Sequence, residues 1–158
     1  MVKNQKGITL IALVITIIVL LILAGVSIAM LTGENGILTQ AGNAKSETNK
    51  AEAVERINLA LNAVKSEIYN KQVAESSYEP ISGNAGSYTL DGAISTILGK
   101  DTFGTTNGSD KYYYSLNTTS GLLTLSYYNT TTEVGTASAP IQGTIDLSAA
   151  PYTIVEAK

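Results

Sequence analysis

Residues 8–31 run for 24 positions without a charge, and nothing else in the chain constrains its fold as strongly. At about 1.5 Å of rise per residue, a helix of that length spans a hydrocarbon core of about 30 Å. The run is dense in Ile and Val, which are mediocre helix formers in water. In lipid that matters little, because backbone groups have no water to bond and must close within the segment. Thr9, Thr16 and Ser27 carry hydroxyls able to bond back to their own helix, and Ala12, Ala24, Gly25 and Ala29 are small. The run therefore predicts a membrane-crossing helix.

The seven residues before it carry Lys3 and Lys6 and no acid. Positive charge on that side keeps it cytoplasmic and sends the C-terminal body across the membrane. A secretory signal peptide has an apolar core of about 7–15 residues followed by a small-residue cleavage site. Here the core is longer and no Ala-x-Ala follows it. Three readings remain open: a plain signal anchor, an atypical signal peptide, or a leader cut before the apolar run.

Lys6-Gly7-Ile8-Thr9-Leu10-Ile11 resembles the cleavage and methylation box of type IV pilins and type II secretion pseudopilins. The resemblance covers roughly the first third of the chain. In that family a membrane-embedded aspartyl prepilin peptidase cuts after the Gly and methylates the new amine. The resemblance thus implies processing between Gly7 and Ile8, with Ile8 as the N-methylated first residue. Thr9, Leu10, Ile11, Ala12 and Val19 would lie in the filament-core helix. Ile8 stands where Phe is commonest in the family, and Ala12 stands where Glu is usual. Similar pilin-like proteins of Gram-positive bacteria share the Ile-Thr-Leu-Ile-Ala-Leu opening. The implied fold is a long helix, half apolar and half amphipathic, on a small antiparallel sheet. The implied function is a structural subunit of a surface filament, a homo-oligomer built by membrane assembly machinery from a precursor held in lipid. It begins in the cytoplasmic membrane and ends at the cell surface. A minor pilin or pseudopilin of a secretion or DNA-uptake system, and an uncut anchored surface protein with a ligand-binding β domain, are the alternatives.

Composition narrows the chemistry. The chain has no Cys and no His, which removes disulfides, Cys and Cys₂His₂ zinc sites, Cys nucleophiles and a His general base. No acid stands out for acid–base work, so the chain reads as a non-enzyme without catalytic residue, metal or cofactor. Net charge is −3, and losing Lys3 and Lys6 with a leader would make it −5. No basic cluster lies outside the leader, so a phosphate-tracking nucleic-acid site has little support.

Five segments follow: a leader (1–7), the apolar helix (8–31), a joint (32–36), an amphipathic helix (37–75) and a β-rich region (76–158). Gly33 and Gly36 mark the joint, since Gly is a poor helix former and Asn-Gly favours turns. Val54, Ile57, Leu61, Val64 and Ile68 recur at spacings of three and four, the core face of a helix. Glu52 precedes Arg56 by four residues, the favourable order for a pair. Pro80 forbids helix through its own position. Beyond it, residues 88–91 suggest a short strand, 93–98 a short helix, and 111–116 and 122–128 the best strands. Tyr112, Tyr114 and Leu116 share one face, which Leu123, Leu125 and Tyr127 can match. The loop between them ends in Gly121, as hairpin loops do. Residues 141–147 and 152–155 could add edge strands, giving an α+β class.

Three features tempt toward binding. Asp101, Asn107 and Asp110 could offer oxygens to calcium but lack EF-hand spacing, and a turn is the stronger reading. Asn107, Asn117 and Asn129 each open a glycosylation-type triplet. Tyr112, Tyr113, Tyr114, Tyr127 and Tyr128 could stack on sugars, against a reading of strand packing with alternate tyrosines exposed.

Overall fold

The computed structural model describes residues 6–33, 36–100, 103–105, 111–128 and 140–158. Two compact units divide the chain, residues 1–45 and 46–158. The class is α+β, with long N-terminal helical segments and small antiparallel sheets.

The first unit holds α1 (Lys6–Thr32) and the opening of α2 (Ile37–Ala74). Helix α1 starts two residues earlier than the apolar run, so Lys6 and Gly7 belong to its first turn. Three hydroxyls are absorbed by the helix itself. Thr16 Oγ1 donates to Leu13 O at 2.8 Å, Ser27 Oγ to Leu23 O at 2.7 Å and Thr32 Oγ1 to Ile28 O at 3.0 Å. Intrahelical bonds of this kind let hydroxyls sit in an apolar helix without leaving a donor unmet.

The second unit is built on the rest of α2. Ile57, Leu61, Val64 and Ile68 are fully buried, and Val54 at the edge of their stripe is half-buried. Ala53 and Ala60 join the same core. Each buried aliphatic side chain stabilises the fold by about 1.5–3 kcal/mol. They pack on a four-stranded antiparallel meander: β3 (Tyr112–Leu116), β4 (Leu122–Tyr127), β5 (Ile141–Asp146) and β6 (Ile154–Val155), in that order. Register places Tyr112 opposite Tyr127, Tyr114 opposite Leu125 and Leu116 opposite Leu123, so the matching faces expected from alternation do meet. Across β5 the same face continues through Ile145, Gly143 and Ile141. At Gly143 the helix comes so close that an added Cβ would lie 2.7 Å from Leu61 Cδ1 and 2.9 Å from Ile57 Cγ2.

In the chain, a two-stranded ladder and a short helix come between α2 and β3. Strand β1 (Ile81–Ser82) pairs with β2 (Thr89–Leu90), and β1 has no sequence signal because it is two residues long beside Pro80. Helix α3 (Gly92–Lys100) buries Ile94 and Leu98. Strand β6 is shorter than expected, because Tyr152 takes a left-handed φ of 49° that breaks the ladder before Ile154.

Candidate assembly surface and processing segment

The backbone of Gly7 and Ile8 lies in the first turn of α1, where amides have no intrahelical carbonyl partner. Thr9, Ala12 and Thr16 follow at spacings of three and four and line one shallow groove with Leu10 and Leu13. Ala12 supplies no polar group to that groove. Large apolar side chains from Leu10 to Leu31 are 46–69% exposed, Val19 and Ile11 among them. Among the described residues this is the one helix long and apolar enough to cross a membrane. Exposed apolar surface on this scale requires an apolar environment, either lipid or other protein.

Helix α1 ends at Thr32 and α2 begins at Ile37. Both joint glycines are needed by the backbone there. A Cβ on Gly33 would lie 2.6 Å from Ala29 O, and one on Gly36 would lie 2.6 Å from Leu31 O. Gly36 N donates to Gly33 O at 2.7 Å, and Thr39 Oγ1 donates to the same carbonyl at 3.1 Å.

In the second unit, polar side chains flanking the buried stripe of α2 hold the end of the chain, a role that helical spacing alone did not reveal. Asn58 Oδ1 accepts from Ala157 N at 2.8 Å and its Nδ2 donates to Ala157 O at 3.4 Å, pairing as a strand neighbour would. Tyr69 Oη donates to Pro151 O at 3.1 Å, and Gln72 Nε2 donates to Tyr152 Oη at 2.8 Å. The signal was present as Asn58 and Gln72 beside an apolar stripe, but their partners lie 99 and 80 residues away. The Arg56 guanidinium rests 4.6 Å from the centre of the Tyr112 ring, adding a cation–π contact to the i, i+4 relation expected with Glu52. Burial, the dominant cause, together with Glu52 nearby, pushes the Tyr112 hydroxyl above the usual tyrosine range, while Arg56 opposes them.

The tyrosine expectation requires correction. Tyr112, Tyr114 and Tyr127 face the core, but Tyr113 and Tyr128 on the other side of the sheet are also buried, at 7% exposure each. Their rings meet edge to face at 6.1 Å, and Ser126, opposite Tyr113 in the register, is fully buried and accepts Gln142 Nε2 at 2.9 Å. Both faces of the C-terminal end of β4 are therefore packed, while Leu122 and Thr124 on the same side are half-buried, and the alternate tyrosines are not exposed. Asn117 is spent on its own turn: Oδ1 accepts the amides of Thr119 and Ser120 at 2.9 and 3.0 Å. Asp101, Asn107, Asp110 and Asn129, with their suggested calcium and glycosylation roles, lie outside the described residues.

Comparison with protein-family models, with curated proteins and with solved structures finds no match to this chain.

Proposed function

We propose that this chain is a pilin-like structural subunit, cut between Gly7 and Ile8 by a prepilin peptidase and assembled into a surface filament through α1. The observation that carries this reading is the exposed, charge-free surface of α1 following directly on the basic leader ending in Gly7. A helix of this kind is stable in lipid before assembly and equally stable against other copies of itself, since helix packing needs no ion pair. The separately packed second unit suits a body carried outside the membrane, and no step of the reading calls on a metal or cofactor. The test is N-terminal sequencing and mass spectrometry of material sheared from cells expressing the full chain. Fragments beginning at N-methylated Ile8 support the reading, whereas surface material beginning at Met1 or Val2 means an uncut anchored protein instead.

A further inference from the structure

The stripe that α2 buries leaves two flanks of the same helix exposed, and they differ in charge. On one flank Glu52, Glu55, Leu59 and Ala63, with Ala60 at its base, form a shallow groove of about 540 Å³. The cation within it, Arg56, is held over the Tyr112 ring. Leu59 is 63% exposed there, an apolar side chain one turn beyond Glu55 and one turn before Ala63. On the opposite flank Asn62 and Lys65 meet Pro151, Val155 and Lys158 around a second groove of about 630 Å³, in which Glu156 is the lone acid. Val155 is 61% exposed on the edge strand β6.

We propose that these flanks dock on each other between successive copies of this chain, Val155 of one copy seating beside Leu59 of the next. Lys65 and Lys158 then face Glu52 and Glu55. The occupant is a second copy because the two surfaces are complementary in balance: Leu59 lies beside two acids and one cation, and Val155 beside two lysines and one acid, so apolar meets apolar and the excess charges are opposite. The two patches are different surfaces of one molecule, so the contact is heterologous. Such contacts leave a free patch at each end and propagate into open helical arrays unless rotation closes a ring. The proposal rests on the filament reading and adds to it the lateral contact made by the second unit.

The chain has no native cysteine, so Leu59→Cys and Val155→Cys introduce thiols at exposed positions. The full-length double variant, oxidised mildly in whole cells, is expected to give a ladder of dimers, trimers and higher species on non-reducing gels. Each single variant alone should stay monomeric, and the two single variants expressed together should give dimers. Adding Glu52→Lys and Glu55→Lys should cut the cross-linked fraction on the order of tenfold, and adding Lys65→Glu and Lys158→Glu as well should restore it. Absence of any cross-link, or a Leu59→Cys single variant that dimerises as well as the pair, overturns the contact. Sheared material sequenced from the same cells reads filament formation separately. Filaments starting at Ile8 without the ladder leave the filament reading standing and remove the contact. A ladder in membranes without such filaments supports the contact and removes the filament reading.

Discussion

The Tyr78 hydroxyl donates to Asp91 Oδ2 at 3.1 Å, and that same oxygen accepts the amide of Ala93 at 2.7 Å. Asp91 is thus the N-cap of α3 and also the point at which the segment leaving α2 is tied down. Its amide completes the link by donating to Pro80 O at 3.0 Å. Asp91→Ala should cost about 1–2 kcal/mol for the lost cap, while Asp91→Asn should cost less because the acceptor is kept. Thermal unfolding of the two variants checks this order.

The same pair predicts behaviour in alkali. Burial first, then the Asp91 carboxylate, pushes the Tyr78 hydroxyl well above the usual tyrosine range. A group whose folded value is raised contributes stability that is fully present below the unfolded value of about 10. That stability is lost as pH rises toward the folded value. Tyr78→Phe should therefore flatten the decline in melting temperature above about pH 10. An unchanged slope would mean that Tyr112, also raised, governs the decline.

Gly143 tests the closeness of α2 to the sheet. A Cβ there meets Leu61 Cδ1 at 2.7 Å, Ile57 Cγ2 at 2.9 Å and Ala157 N at 3.1 Å. The two side-chain ends can shift at some cost in packing, but the backbone amide is tied to Asn58. Gly143→Val should destabilise the second unit by about 1–3 kcal/mol through overpacking, with Gly143→Ala intermediate. Denaturant midpoints measure both.

Asp146 predicts the opposite pH dependence from Tyr78. Its Oδ1 accepts the Ser148 hydroxyl at 2.6 Å and the Ser148 amide at 2.9 Å, and these two bonds hold its carboxyl below the usual range. A lowered value contributes stability that is present above the unfolded value of about 3.9. It is lost as pH falls through the folded value. The gap in melting temperature between wild type and Asp146→Ala should be constant near neutrality and shrink in acid below about pH 4. A gap that stays constant throughout would remove the carboxylate from the account.

Ala12 and Val19 separate two roles within α1. If assembly proceeds by helix packing without an ion pair, Ala12→Glu near the helix start should be tolerated, because its carboxylate would sit one turn from the amine that cleavage after Gly7 would free on Ile8. Val19→Asp sets an acid amid the run, at a cost of about 2.5–3.5 kcal/mol on insertion scales. It should lower both the membrane-inserted and the sheared fractions, measured by immunoblot of each.

Much of this architecture was legible in local pattern. A charge-free run made α1 legible as a helix long and apolar enough to cross a membrane. Spacings of three and four put Ile57, Leu61, Val64 and Ile68 on one buried face. Alternation over residues 112–116 and 122–127 set which faces match. Gly121, at φ 73°, sits at the loop end where a positive φ was needed. The joint glycines were legible as helix breakers, although the carbonyls of Ala29 and Leu31 that exclude a side chain there were not.

What tertiary structure alone decided lies where partners are distant in the chain. Tyr113 and Tyr128 read as solvent-facing by alternation, yet both are buried, because period two tells which residues share a face and never whether that face is covered. Asn58 gains its role only when residue 157 returns beside α2, and Gly143 its necessity only when Leu61 descends on β5. Periodicity records how each segment divides its own surface. Which surfaces then meet is settled by long-range closure, where packing must outweigh the entropy of bringing far residues together.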